Sequence, residues 1–265
     1  MSSIRFGISM LLFISLLACS DGHEDGLNLV DNLDEDYIQP RGESPRNPFD
    51  DTQANIDRGV DLASNGNYKE AEIHFLKAMA RDSTNPLVYS NMAMVLSKKG
   101  EGLRAIKYLT IAIRLDESRW EFYLNRGLIF FEQKKYAKAL KDLKIVHSKE
   151  PNNTSALWYL GRTMYEMKNY EGALRYYNKY LILDNSRVDV LYNKSNVLML
   201  LGKNSEALSS INRAIELDPF CADCFETRGY VKNEIGLHSE ACSDFSTAAS
   251  YGSNSARVTY NQYCN

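Results

Sequence analysis

The chain has 265 residues, of which 44% are hydrophobic and 25% charged, and its formal net charge at pH 7 is −3. This composition is typical of a soluble globular protein with enough apolar material to bury a core. The sequence pI of about 5.9 gives no reason to expect nucleic acid as a partner.

Residues 1–18 differ from all that follows. Arg5 precedes thirteen apolar or small residues, 6–18, a stretch too short to span a bilayer comfortably, which predicts a secretory signal peptide. The stretch ends in Leu16-Leu17-Ala18-Cys19 and resembles the lipobox of bacterial lipoproteins. The resemblance implies attachment of diacylglycerol to Cys19, cleavage of the signal before it, and acylation of the new amino terminus, with palmitate among the chains. The alternative is an ordinary cleaved signal that leaves Cys19 as a free thiol.

The residue after Cys19 bears on the destination of the chain. It is Ser20 and not Asp, and by resemblance to enteric lipoproteins this favours the outer membrane, on its periplasmic or its cell-surface face. Residues 19–51 then predict an acidic, disordered tether, because ten acidic residues stand against Arg41 and Arg46 and three prolines block regular structure. The tether is either a spacer or, by a partial resemblance, a surface-export signal whose acidic run is broken after Asp21.

The stretch 154–187 predicts two amphipathic helices joined by a tight turn near Lys168 and Asn169. Its apolar and small residues recur at helical spacing on both sides of that turn: Leu157, Leu160, Gly161 and Met164, then Tyr170, Ala173, Tyr177, Tyr180 and Leu181. Such a pair leaves one apolar face uncovered and needs a similar pair beside it.

The same landmarks recur every 34 residues. Gly161, Tyr170 and Ala173 correspond, one period earlier, to Gly127, Tyr136 and Ala139. Small residues are expected where the two helices of a unit approach closely, and glycines in the turns are expected to cap helices with a positive φ. Six units fit without insertion or deletion, and residues 256–265 predict a capping helix; the units are 52–85, 86–119, 120–153, 154–187, 188–221 and 222–255.

This pattern resembles the tetratricopeptide repeat (TPR). The resemblance rests on a small residue in the first helix, Tyr before the second helix, Ala within it, and Pro151 and Pro219 at the ends of two units. It implies an all-α, right-handed superhelical solenoid of six helix-turn-helix units plus the capping helix. It also implies a concave groove lined by the first helix of each unit and a scaffold that binds other molecules.

The four cysteines after Cys19 all fall in the last 45 residues of a chain expected to be exported, which suggests disulfides. Cys242, on the second helix of unit six, and Cys264, on the capping helix, are expected to share a seam, so we predict that they pair. Cys221 and Cys224 form the weaker predicted pair. Incidental thiols, or a redox or metal role for the CxxC motif, are the alternatives.

No catalytic residue, metal ligand or cofactor site is predicted. The four histidines are scattered, and the sequence holds no nucleophile elbow, Walker loop or dinucleotide fingerprint. The family's carboxylate clamp is also missing, because unit one offers Ile56 and Val60, and unit three Glu121 and Asn125, where the clamp needs Lys, Asn and Arg. The chain is therefore expected not to be an enzyme, and tail binding of the chaperone type is not expected.

The candidate site consists of the residues at the positions that line the groove in the TPR family. An apolar and aromatic strip with an acidic rim usually marks an interface, and these positions are expected to lie off the stripe that holds the helices together. The alternative is that the tyrosines are packing residues. The candidate groove residues are Leu124, Leu128, Phe131, Trp158, Arg162, Tyr165, Tyr192, Asn196, Met199 and Tyr230, and the rim residues are Glu121, Glu132, Glu166, Asp189, Asp223, Glu226 and Glu234.

The sequence thus predicts a lipid-anchored interaction scaffold of the bacterial envelope. Its partner is expected to be another envelope protein or a peptide segment that lies extended in the groove, with no role for nucleic acid. The alternative is a peptidoglycan or saccharide binder that uses the same aromatic groove, since aromatic rings also stack on sugar faces.

Overall fold

The computed structural model describes residues 52–264, which form α-helices joined by short turns. Their bounds are α1 Thr52–Ser64, α2 Tyr68–Arg81, α3 Pro86–Lys98, α4 Gly102–Leu115, α5 Trp120–Glu132, α6 Tyr136–Lys149, α7 Thr154–Glu166, α8 Tyr170–Leu183, α9 Val188–Leu200, α10 Asn204–Leu217, α11 Ala222–Glu234, α12 His238–Ser250 and α13 Asn254–Tyr263. Within this part of the chain, no helix has the length and apolar character needed to cross a membrane.

The helices confirm the all-α repeat architecture. Each unit contributes a first helix, with an odd number, and a second helix, with an even number, and α13 follows the sixth pair. The capping helix begins at Asn254, two residues before the predicted start, because the Ser253 hydroxyl accepts a hydrogen bond from the Ala256 amide and caps it there (3.1 Å). The predicted signal peptide, Cys19 and the acidic tether lie outside the described residues.

The small residues in the first helices allow close packing against the second helices. A Cβ atom added at Gly161 would lie 2.4 Å from Cε1 of Tyr177, whose ring is fully buried between α7 and α8. Gly59 meets Phe75, and Gly229 meets Phe245, in the same way. In these three units, the glycine of the first helix leaves space for the aromatic ring sixteen residues later. The large side chain of the second helix can therefore pack directly against the backbone of the first helix.

The turns within the units use a left-handed residue. Gly66, Gly100, Gly202 and Gly236 have φ values of 71° to 83°, which confirms the expected caps. In units three and four the same position is occupied by non-glycine residues that also adopt positive φ, Lys134 at 58° and Lys168 at 59°. A side chain with a Cβ is strained in this conformation.

The stack has two distinct faces. Besides their own second helices, the first helices of consecutive units contact each other, as α3 does with α5 and α5 with α7. The first helices therefore lie on the inner side of the stack and form what we call the groove face. The second helices lie on the opposite side, which we call the outer face.

Two arginine–aspartate pairs tie the helices of units three and six together. The Arg126 guanidinium donates two hydrogen bonds to the Asp142 carboxylate (2.7 and 2.9 Å), and Arg228 does the same to Asp244 (2.9 and 2.6 Å). Both aspartates are buried, and because each is paired in a bidentate manner, neither is left as an uncompensated charge.

Candidate partner-binding groove

All ten candidate groove residues lie on first helices. Leu124, Leu128 and Phe131 are on α5, Trp158, Arg162 and Tyr165 on α7, Tyr192, Asn196 and Met199 on α9, and Tyr230 on α11. Tyr230 is exposed, and the other nine side chains are half-buried. The groove face of the middle units is therefore a mixed surface, partly accessible and partly packed.

The centre of this surface is a cation held between two aromatic rings. The Arg162 guanidinium carbon lies 4.8 Å from the centre of the Phe131 ring and 5.6 Å from that of Trp158, and it thereby connects α5 with α7. Phe131 in turn meets Tyr159 edge to face at 5.4 Å. Among residues 52–264, Arg162 forms no ion pair. The guanidinium is thus positioned by cation–π contacts, and its charge is not neutralised by a described carboxylate.

Beneath this cluster lies a hydroxyl with no hydrogen-bond partner. Tyr177 extends from α8 past Gly161, and its ring centre is 5.8 Å from that of Trp158. Its hydroxyl is buried, and no described group bonds to it. Burial raises the pKa of Tyr177 well above its ordinary value, and the positive charge of Arg162 opposes this rise. Because its ring packs against that of Trp158 on α7, Tyr177 lies beneath the groove face.

Tyr165 and Tyr192 continue the aromatic surface toward unit five. Tyr165 packs against Tyr170, with ring centres 5.9 Å apart, and burial followed by the nearby Tyr170 raises its pKa. Tyr192 lines a surface pocket at the junction of units five and six, whose other lining residues include Arg187, Asp189 and Asp223. The Arg187 guanidinium donates to the Asp189 carboxylate (2.9 Å), so this charge of the rim is already paired.

The far end of the predicted strip is engaged in contacts within the protein. The Asn196 side-chain oxygen accepts a hydrogen bond from the Thr227 hydroxyl (3.2 Å). The Tyr230 hydroxyl donates to Glu226 (3.3 Å) and lies 3.2 Å from the Thr259 hydroxyl of the capping helix. The structure therefore brings together Phe131, Trp158 and Arg162, with Tyr165 and Tyr192 beyond them, whereas Asn196 and Tyr230 connect α9, α11 and α13.

One sequence expectation about these residues needs correction. They were expected to lie off the stripe that holds the helices together, but Leu124, Trp158, Tyr165, Tyr192 and Met199 each pack partly against a buried cluster. The reason is size: an aromatic ring on the groove face is large enough to cover the neighbouring helix and still expose an edge. Packing and an accessible surface are thus properties of the same side chains.

The four cysteines after Cys19 lie at the end of unit five, in unit six and at the cap. The structure joins Cys242 of α12 to Cys264 after α13, with Cα atoms 5.6 Å apart, and Cys221 to Cys224 at the start of α11. The Cys221 sulfur also accepts a hydrogen bond from the Cys224 amide (3.2 Å) and so caps that helix. Over residues 52–264 no cluster of three or more possible ligands is present that would hold a metal ion.

Sequence reasoning missed three features of this region. The unpartnered hydroxyl of Tyr177 was counted only as part of an apolar stripe, and the paired arginines Arg126 and Arg228 were not singled out. The third feature is the charge of the outer face. The paired arginines had a signal in the repeat register, since Arg126 and Arg228 occupy the same position of units three and six, sixteen residues before an aspartate in both cases.

Comparison with protein-family models supports the repeat assignment. Three models described as "Tetratricopeptide repeat" match residues 91–146, 130–181 and 188–221. No curated protein sequence matches the chain.

Solved structures with the same fold include three bacterial helical-repeat proteins. YrrB, described as a TPR protein with an unusual peptide-binding site, is 22% identical, with a TM-score of 0.65 over 71% of this chain and 97% of its own. PilF of Pseudomonas aeruginosa is 21% identical, with a TM-score of 0.64 over 80% of this chain and 96% of its own. MamA of Desulfovibrio magneticus RS-1 is 17% identical, with a TM-score of 0.61 over 63% and 94%. At these identities the similarity shows the fold alone.

Proposed function

Because the chain carries tetratricopeptide repeats, we propose that it is an interaction scaffold that binds an extended segment of another envelope protein on its groove face. In this proposal Cys19 carries the lipid that anchors the chain to the bacterial outer membrane. The observation that supports the proposal best is the Arg162 guanidinium, held between Phe131 and Trp158 without an ion pair among the described residues. The peptide-binding site named for YrrB is a precedent on the same fold.

The proposed partner segment is extended, apolar at its anchors and basic at its flanks. Aromatic anchors contribute most of the binding energy in such interfaces, and Trp158 with Phe131 supplies them here. Glu132 and Glu166, at the end of α5 and α7, and Glu234, at the end of α11, are exposed and give the rim a negative charge. Lysines or arginines that flank the apolar anchors of the segment would meet this rim, and the affinity should fall as salt screens it.

Arg162 and Tyr177 give the centre of the groove face a different chemistry from its rim. A buried hydroxyl without a partner costs stability, about 1–3 kcal/mol, and in this proposal it bonds a group of the partner that enters when the Trp158 ring, which covers Tyr177, moves aside. A backbone carbonyl of an extended segment is such a group, and Arg162 is a second donor beside it. The corresponding side chains of units one and six, Phe75 and Phe245, have no hydroxyl.

A saccharide partner is less compatible with this geometry. Stacking on a sugar requires a free aromatic face, but the Arg162 guanidinium already lies over both Phe131 and Trp158. Co-purification from detergent-solubilised envelopes with and without muramidase distinguishes the two partner classes. Recovery of a partner protein that survives muramidase supports the peptide, whereas a complex that is lost with the glycan supports the saccharide.

The direct test of the groove is truncation of Trp158. We expect Trp158→Ala to weaken binding of the partner segment about thirtyfold or more, because this ring is a central anchor. Phe220→Ala is the matched control, since Phe220 is an exposed aromatic residue (73%) in the turn before α11, away from the cluster. Equal affinity of the two variants, measured by titration calorimetry, would contradict the proposed site.

Tyr177→Phe separates binding from packing. Removal of the unpartnered hydroxyl should leave the fold as stable as before or stabilise it by about 1 kcal/mol, while the affinity for the partner falls. If the variant binds as tightly as the parent, the hydroxyl does not contact the partner. The anchor is tested separately by labelling cells with an alkyne fatty acid: label is expected on the parent chain and not on Cys19→Ser, and label on both would contradict lipidation at Cys19.

A further inference from the structure

The outer face of the middle units is strongly basic. α6 carries four exposed lysines and α8 two exposed cations, and α4 adds three, of which Arg104 is paired with Glu72 and Glu101. The exposed carboxylate on these three helices is Glu171, since Asp142 is buried and paired with Arg126. Among the described residues, no carboxylate forms an ion pair with any of the six on α6 and α8, which are Lys138, Lys141, Lys144, Lys149, Arg175 and Lys179.

These cations belong to one continuous surface. Ile106 of α4, Leu140 of α6 and Tyr176 of α8 all pack against the same buried cluster, so the three helices lie side by side. The Lys179 ammonium also donates to Nε2 of His147 on α6 (3.0 Å). We call this surface the basic outer face. The second helices of units five and six do not share its character, because exposed glutamates outnumber exposed lysines and arginines on α10 and α12.

One edge of the basic outer face also exposes large aliphatic side chains. Ile182 is 82% exposed near the end of α8, and Leu183 and, on α4, Leu115 are each more than 40% exposed. Arg114 lies in the last turn of α4, and Lys179 lies four residues before the end of α8. Cations beside protruding aliphatic side chains are the composition of surfaces that bind at the interface of an anionic bilayer, where the charges meet phosphates and the apolar groups enter between headgroups.

We propose that the basic outer face binds a bilayer surface rich in anionic phospholipid and thereby orients the groove face away from the membrane. This proposal rests on the proposed function only because that function places the chain at a membrane. It does not depend on which partner the groove face binds. Each cation near an anionic surface contributes about fivefold to the partition coefficient. A lipid at Cys19, on the same chain, would keep this weak surface at a high effective concentration near the membrane.

The experiment uses residues 20–265, which omit Cys19 and its lipid, so that its outcome is independent of the anchor. In flotation assays we expect the chain to rise with vesicles of phosphatidylcholine that contain 30% phosphatidylglycerol and to stay in solution with phosphatidylcholine alone. Raising NaCl from about 0.1 to 0.5 M should release it. The combined variant Lys138→Glu, Lys141→Glu and Lys144→Glu should lower the bound fraction at least tenfold.

The matched control makes the same change of charge elsewhere. Lys69→Glu, Lys203→Glu and Arg257→Glu alter three exposed cations outside α4, α6 and α8, and this variant should bind vesicles like the parent. Circular dichroism confirms that both variants are folded. The proposal is overturned if binding does not depend on phosphatidylglycerol or if the control loses binding equally. It is also overturned if the parent chain does not bind vesicles but binds a polyglutamate peptide, since the basic outer face would then be a binding site for an acidic protein.

Discussion

The contact between Gly161 and Tyr177 permits a quantitative prediction about how the units hold together. In Gly161→Ala the new Cβ would lie 2.4, 2.7 and 3.0 Å from three atoms of a fully buried ring, which has no free space into which to turn. Overpacking of this kind costs about 1–3 kcal/mol or more. The better helix propensity of Ala returns about 1 kcal/mol. We therefore expect a net loss of up to about 2 kcal/mol in the free energy of unfolding.

Gly127→Ala is the internal control, because Gly127 holds the same position of unit three but faces the smaller Leu143. Its added Cβ would lie 3.2 Å from the Leu143 side chain, a contact that small shifts can relieve, so the propensity gain and the packing cost should nearly cancel. Urea denaturation followed by circular dichroism measures both variants. If Gly161→Ala is as stable as Gly127→Ala, the close approach of α7 and α8 does not limit the size of this residue.

Three further predictions concern the turns, the cap and a half-buried histidine. Lys168→Gly should raise the free energy of unfolding by about 0.5–1 kcal/mol, because φ of 59° strains a residue with a Cβ; urea denaturation measures it, and a loss would contradict the strain. Cys264→Ser should speed amide exchange throughout α13 and cost about 3 kcal/mol of local stability, since Cys242 then no longer holds the cap; unchanged exchange measured by NMR would contradict this. Burial and, secondly, the charge of Lys179 lower the pKa of His147, so the free energy of unfolding should decline as the pH falls below about 6.5. In thermal melts recorded from pH 7.5 to 5.5, His147→Gln should show a weaker dependence of the melting temperature on pH.

The fold was predictable because its determinants repeat along the chain. Gly161, Tyr170 and Ala173 act within one helix pair, and a fixed period repeats the same local packing across the described units. The start of the cap was missed by two residues because the period alone set the boundary. The local hydrogen bond from the Ala256 amide to Ser253 decided it instead.

The candidate site was predictable only in part, because it depends on contacts between units. The sequence places Trp158 on the groove face, but how much of its ring is accessible is decided by Tyr177 below it and Arg162 above it. The position of Arg162 between two rings likewise requires that Phe131, one unit earlier, lies opposite. Such a contact depends on the relative position of two helices in different units. That position is a tertiary property, and the periodicity of the sequence does not reveal it.

The charges of the two faces suggest why they are segregated. A basic partner segment attracted to the acidic rim of the groove would also be attracted to anionic lipids, and the two would compete for it. Packed helices lie 8–10 Å apart, so a groove face separated from the bilayer by the second helices stands beyond the screening length of about 8 Å at physiological salt. If the chain docked through Lys138, Lys141 and Lys144, the basic outer face would neutralise the lipid phosphates that it contacts. The partner would then remain free to bind near Trp158. The variant with Lys138→Glu, Lys141→Glu and Lys144→Glu should then capture a basic segment less well on anionic vesicles, while its affinity for that segment in solution stays unchanged. The vesicle assay measures this difference when the variant is compared with the matched control.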